Sequence, residues 1–118
     1  FPTTPSPNPE EKVALQMALD YAKQIDADLV LATDPDADRV GIACKDNQGE
    51  WVLLNGNQTG ALLMYYMLDA WQKAGKLNGK QFVVKTIVTS YMMDKIAAGY
   101  NVPCHNVLTG FKFIADII

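Results

Sequence analysis

Arginine is nearly absent from this chain: Arg39 is the only one, and the other nine basic residues are lysines. With a net charge of −3 over 118 residues there is no basic footprint for nucleic acid or for an anionic membrane. No apolar run approaches the roughly 18 residues needed to span a bilayer. The two cysteines, Cys44 and Cys104, lie far apart and form no CxxC pair. Neither a disulfide framework nor a zinc knuckle is indicated, and a reducing, cytoplasmic setting is the default. The single histidine, His105, sits between Cys104 and Asn106 and reads as structural. Internal repeats and low-complexity tracts are missing too. The first ten residues are polar and proline-rich, unlike a secretory leader. The chain opens on Phe1-Pro2 and closes on the apolar Ile117-Ile118, so both ends read as cut from a longer protein.

What is present is an ordinary globular composition, 49% hydrophobic. Residues 1–7 read as an extended linker. Asn8-Pro9-Glu10-Glu11 predicts a helix start, with Asn8 as N-cap and Pro9 at the first helical position. Val13, Met17, Tyr21 and Ile25, flanked by Ala14, Ala18 and Ala22, predict one apolar face of a helix running to about residue 25. Leu29–Ala32 is apolar on both faces, as in a buried parallel strand. Val40–Lys45 and Trp51–Leu54 flank Asp46-Asn47-Gln48-Gly49 and predict a hairpin. Gly56–Gly60 reads as a loop or cap before a helix over 61–74. A strand follows over 82–88. Ser90 is placed to cap a helix over 91–98 that Gly99 stops, and 102–108 and 111–118 read as a strand and a helix. The alternation predicts an α/β class: a layered α/β/α fold with a mostly parallel or mixed sheet and one hairpin.

The densest chemistry is Asp34-Pro35-Asp36-Ala37-Asp38-Arg39, directly after the apolar strand. Three alternating carboxylates repel one another unless a cation lies between them. All-oxygen ligation suits a hard cation, and magnesium favours a few carboxylates plus a phosphate oxygen. Arg39 can grip that phosphate with a planar fork. An EF-hand loop does not fit, because Arg39 stands at the sharp-turn glycine position and Lys45 at the bidentate glutamate position. Three alternatives to a magnesium–phosphate site remain: an acidic surface turn, a DxD-type phosphatase with Asp34 as nucleophile, and a non-catalytic cation-binding module. Lys85 interrupts the apolar strand Phe82–Val88, where an unpaired ammonium is costly; it either reaches a partner or ligand, or snorkels from an edge. Thr109-Gly110-Phe111-Lys112 lies at a strand-to-helix turn, suited to phosphate approach.

Three segments together resemble the α-D-phosphohexomutase superfamily, which includes phosphoglucomutase and phosphomannomutase. Thr33–Arg39 is similar to its magnesium loop, written D-G-D-G-D-R or D-P-D-A-D-R. Leu54-Asn55-Gly56-Asn57-Gln58-Thr59-Gly60 resembles the opening of its third domain, and Leu108–Ile114 its T-G-[FWH]-K segment. The resemblance implies that residues 1–46 are the end of domain II with the magnesium loop, and 47–118 a domain III truncated before the sugar-binding loop. It implies metal ligation by Asp34, Asp36 and Asp38, with magnesium as cofactor. It assigns catalytic roles to Arg39, Lys85 and Lys112, and contact with a hexose phosphate to Arg39, Thr109, Gly110 and Lys112. The implied activity interconverts sugar 1- and 6-phosphates through a phosphoserine enzyme and a bisphosphate. The implied partners are a phosphosugar and the remaining domains of the same polypeptide. Three family segments are missing from the 118 residues: a T-A-S-H-N-P-like segment around the nucleophilic serine, a G-E-x-S-G loop, and the phosphate-gripping loop of domain four. Only Ser6 and Ser90 occur, and no glutamate follows Glu50. The isolated chain is therefore expected to be inactive.

Overall fold

Asn8 does not cap the first helix. In the computed structural model, which describes residues 4–118, α1 spans Lys12–Gln24 and its N-cap is Glu11, in an extended conformation. Asn8 instead turns the chain ahead of the helix: its Oδ1 accepts the Glu10 N–H at 3.1 Å, and its carbonyl accepts the Glu11 N–H at 3.0 Å. Asparagine is suited to this local turn. Pro9 is drawn inward, where its carbonyl lies against Gly41. The linker expected over 1–7 falls partly on residues 1–3, outside the described residues.

The buried face of α1 also differs from expectation. Val13, Met17, Tyr21 and Ile25 are exposed, and the core is made by Leu15, Leu19 and Ala22 against Val30 and Ala43. Both sets have helical spacing, so α1 carries two apolar stripes. Strand β1 (Leu29–Thr33) follows a turn in which Asp26 adopts a φ of 51°. It pairs antiparallel with β2 (Val40–Lys45), which pairs antiparallel with β3 (Trp51–Leu54), in the order β1-β2-β3. The parallel pairing expected of Leu29–Ala32 is thus corrected. Only six residues join β1 to β2, whereas a parallel crossover needs about a dozen or more. Val30 is buried, while Leu29 and Leu31 on the other face are exposed. The β2–β3 hairpin is as expected: Asp46 Oδ1 accepts the N–H groups of Gln48 and Glu50 at 2.8 and 2.9 Å, and Gly49 takes a φ of 82°.

Helix α2 spans Gly56–Lys73, five residues longer at its start than the composition suggested. Gly56–Gly60 is helical because Asn55 and Gln58 cap each other. Asn55 Oδ1 accepts the Gln58 N–H at 2.9 Å, and Gln58 Oε1 accepts the Asn55 N–H at 3.0 Å.

The chain forms two compact units that divide after Thr59. In the second, β4 (Val83–Thr86), α3 (Met92–Gly99) and β5 (Cys104–Val107) make a βαβ unit with a parallel strand pair. Ser90 Oγ accepts the Met92 N–H at 3.2 Å at the start of α3. Gly99 is the last residue of α3 rather than the residue beyond its end. Asn101, with a φ of 57°, takes the left-handed position, and the Val102 N–H closes back on the Ala97 carbonyl at 2.9 Å. A short α4 (Phe111–Ala115) follows β5. The class is α/β, as expected, with mixed pairing. No described helix is long and apolar enough to cross a membrane.

Candidate active site

Residues 34–39 form the connection at the carboxyl end of β1. The Ala37 N–H bonds the Asp34 carbonyl at 3.0 Å, making a tight turn, and Ala37 has a φ of 57°. The turn folds the alternating aspartates together, so that one carboxylate oxygen from each of Asp34, Asp36 and Asp38 lies within 4.8 Å of the others. Asp34 is buried; Asp36 and Asp38 are exposed.

Arg39 closes the loop onto Asp34. Its Nε–H donates to Asp34 Oδ2 at 2.6 Å, and its backbone N–H donates to Asp34 Oδ1 at 3.2 Å. Asp38 Oδ1 lies 3.8 Å from the same Nε. These contacts set the electrostatics. The Arg39 hydrogen bond outweighs burial and holds the Asp34 carboxyl down to about 2. Asp38 moves the other way: hydrogen bonding with Asp34, then repulsion from Asp36 and Asp34, push its pKa up. A crowded carboxylate disfavoured in its charged form is the signature of too little positive charge. An all-oxygen donor set with one side open to solvent fits a hard divalent cation such as magnesium.

In the second unit, Lys85 is buried rather than snorkelling. Its Nζ lies 3.0 Å from Asp94 Oδ2 and donates to the Thr89 carbonyl at 3.2 Å. Asn106 Nδ2 donates to Asp94 Oδ1 at 2.9 Å. In the strand register Lys85 stands beside Asn106 and Thr86 beside Val107, so β4 and β5 end together. Thr109, Gly110 and Lys112 follow β5 at that same end and are exposed. Gly110 has a φ of 124°, a conformation that favours glycine. Because α4 has only five residues, a phosphate there would depend more on Lys112 than on a helix dipole. Lys112 Nζ lies 4.8 Å from the Phe113 ring centre.

The proposed residues therefore gather into two groups, one in each unit: Asp34, Asp36, Asp38 and Arg39, and Lys85 with the Thr109–Lys112 turn. His105 packs edge-on against Phe82, in keeping with its structural reading. Asp94 and Asn106 were missed from the sequence. The signal was there: a lysine inside an apolar strand requires a partner, and Asp94 is the acid in the first turn of the next helix.

Residues 1–49 match the family described as Phosphoglucomutase/phosphomannomutase, alpha/beta/alpha domain II, and residues 55–118 match alpha/beta/alpha domain III of the same family. The chain belongs to the phosphoglucomutase/phosphomannomutase family. Relatives in this family include a phosphoglucomutase of Staphylococcus saprophyticus, 40% identical over 118 residues, covering 100% of this chain and 21% of that protein. A probable phosphomannomutase of Haemophilus influenzae is 41% identical, covering 99% of this chain and 23% of that protein. The chain thus spans about a fifth of the length of these curated relatives. Among solved structures, an N-acetylglucosamine-phosphate mutase of the α-D-phosphohexomutase superfamily aligns with a TM-score of 0.57 at 20% identity, over 83% of this chain and 24% of that one. The Aspergillus fumigatus N-acetylphosphoglucosamine mutase, solved in complex with GlcNAc-6P and magnesium, aligns with a TM-score of 0.59 at 24% identity, over 83% of this chain and 21% of that one. At these identities the likeness speaks to the fold.

Proposed function

We propose that this chain is the magnesium-loop portion of a phosphosugar mutase that interconverts sugar 1-phosphates and 6-phosphates. The observation that carries this reading is the convergence of the Asp34, Asp36 and Asp38 oxygens beside Arg39 at the end of β1. Those three aspartates would hold magnesium, which when bound offsets charge on a transferring phosphoryl group. Arg39 spends its Nε on Asp34, and its side chain remains about half exposed, at 54%. That leaves the outer edge of the guanidinium for a phosphoryl oxygen. Lys85, Thr109, Gly110 and Lys112 are assigned to the sugar phosphate, which they orient at the carboxyl ends of β4 and β5.

The remaining domains of the polypeptide would supply the phosphoserine and the sugar-binding loop. The phosphoserine gives its phosphoryl group to a sugar monophosphate, forming a bisphosphate. After reorientation the other phosphoryl group returns to the serine. The 118 residues lack both segments, so the isolated chain is assigned no turnover, and the two free thiols suit a cytoplasmic setting. The phosphatase alternative is disfavoured, because both oxygens of Asp34 already accept hydrogen bonds from Arg39.

Phosphorus NMR on the full-length protein tests this reading. Incubated with glucose 1-phosphate, magnesium and a trace of bisphosphate, it should form the 6-phosphate without net inorganic phosphate. Accumulation of inorganic phosphate alone would favour the phosphatase.

A further inference from the structure

Lys85 is held in an unusual way. It is a buried ammonium, 7% exposed, on the central part of a parallel strand pair. Its Nζ donates to the Thr89 carbonyl in the loop beyond β4, which draws the ammonium toward the strand's carboxyl end. That loop is tied down in turn, with Thr86 Oγ1 and Thr89 Oγ1 3.0 Å apart. Asp94 Oδ2 lies 3.0 Å from Lys85 Nζ, a buried ion pair that helps to lower the Asp94 pKa. The other oxygen, Oδ1, accepts from Asn106 Nδ2, and this bond is the leading reason that the Asp94 pKa is lowered. Asp94 thus offsets the lysine's charge, and the Thr89 carbonyl and Asp94 together face two of the three ammonium protons.

A pair serving only to join α3 to the sheet would gain little over apolar side chains of similar volume. Both charges are buried here while the third ammonium proton has no protein acceptor among the described residues, a costly choice unless that proton serves another acceptor. The acceptor must be anionic and must approach from the carboxyl ends of β4 and β5, where the Thr109–Lys112 turn also lies. We propose that Asp94, braced by Asn106, is a positioning residue that stations the Lys85 ammonium for an oxygen of the sugar phosphate. This rests on the assignment of Lys85 to the substrate made above, and adds Asp94 and Asn106 to it.

The test is steady-state kinetics and thermal melting of the full-length protein with Asp94→Asn, Lys85→Met and the double substitution. Asparagine keeps the shape and the Asn106 bond but removes the charge that faces Lys85. The expected result is a rise of about 10- to 100-fold in KM for the sugar phosphate in each single variant, with kcat changed by less than about threefold. The double variant should be no worse than Lys85→Met, because both act through one contact. Raised KM in Lys85→Met with unchanged KM in Asp94→Asn would overturn the positioning role while sparing the Lys85 assignment. Unchanged KM in Lys85→Met would sink the assignment itself, and the positioning role with it. Multiplicative effects, or a lowered Tm with KM unmoved, would show that Asp94 acts otherwise. Should Asp94→Asn fail to fold, Asn106→Leu leaves both charges in place and only frees Asp94 Oδ1. It should raise KM in the same direction by a smaller factor, and an unchanged KM there contradicts the proposal.

Discussion

Asp34 and Arg39, five residues apart, bind each other through two hydrogen bonds, Nε–H to Oδ2 at 2.6 Å and backbone N–H to Oδ1 at 3.2 Å. The loop therefore carries its own counter-charge for the one buried aspartate. The two exposed aspartates have no comparable partner among the described residues, apart from Asp38 at 3.8 Å from the same guanidinium.

That difference should appear in a carboxyl titration followed by carbon-13 NMR. Asp34 should titrate at about 2, held there by Arg39, while Asp38 should titrate above the ordinary 3.8. The linkage follows from the two directions. Asp34, depressed on folding, contributes stability that is complete above about 4 and lost as pH falls through about 2. Asp38, raised on folding, acts oppositely: its ionisation costs stability as pH rises through its shifted pKa. Added magnesium should bring the Asp38 midpoint down. In Arg39→Met the Asp34 midpoint should climb well above about 2, because burial is then opposed only by the residue-39 backbone N–H and by Asp38. An Asp34 midpoint that stays low in Arg39→Met would refute this account of the loop.

Ala37 occupies the left-handed region with a φ of 57°, unfavourable for any residue with a Cβ by about 1–2 kcal/mol. Replacing it with glycine, the residue in the D-G-D-G-D-R form of the loop, should leave the turn intact. It should also raise stability by up to about 1 kcal/mol, since part of the relief is returned as backbone entropy. Chemical denaturation measures this, and a clear loss of stability would mean that the turn does not hold Ala37 as described.

Gly41 opposes the strain-free case. Its φ is not in the left-handed region, but a Cβ there would overlap the Pro9 carbonyl. The obstacle is backbone that cannot swing aside. Gly41→Ala should therefore destabilise the first unit by about 1–3 kcal/mol, visible as a lower Tm. An unchanged Tm would mean that the Pro9 segment does not pack against β2.

Local chemistry was legible in the sequence where the residues that decide it are adjacent. The β2–β3 hairpin follows from Asp46 and Gly49, and the gathering of three carboxylates from the alternation of Asp34, Asp36 and Asp38. Choices that depend on distant residues were not. Nothing local tells whether Leu15 and Leu19, or Val13 and Met17, will meet the sheet, because both stripes have helical spacing. The direction of β1 was hidden for a different reason: Leu29–Ala32 has the composition of a buried parallel strand, but the six-residue loop to β2 permits only an antiparallel return. Gly56–Gly60 reads as a loop or cap, yet the reciprocal bonds of Asn55 and Gln58 begin a helix there. Lys85 announced its need for a partner, while the identity of Asp94 and Asn106 depended on the packing of α3 and the register of β5.

The central claim is that the aspartate loop serves phosphoryl transfer in a sugar-phosphate mutase. Asp36 is the cleanest probe, since it is exposed and takes no part in the Asp34–Arg39 pair. The decisive measurement is the rate of glucose 1-phosphate to 6-phosphate conversion by the full-length protein and its Asp36→Asn variant, with and without magnesium. The account predicts magnesium-dependent turnover that falls by about 100-fold or more in Asp36→Asn at unchanged Tm. Turnover retained in that variant, or undiminished by chelation, would contradict it.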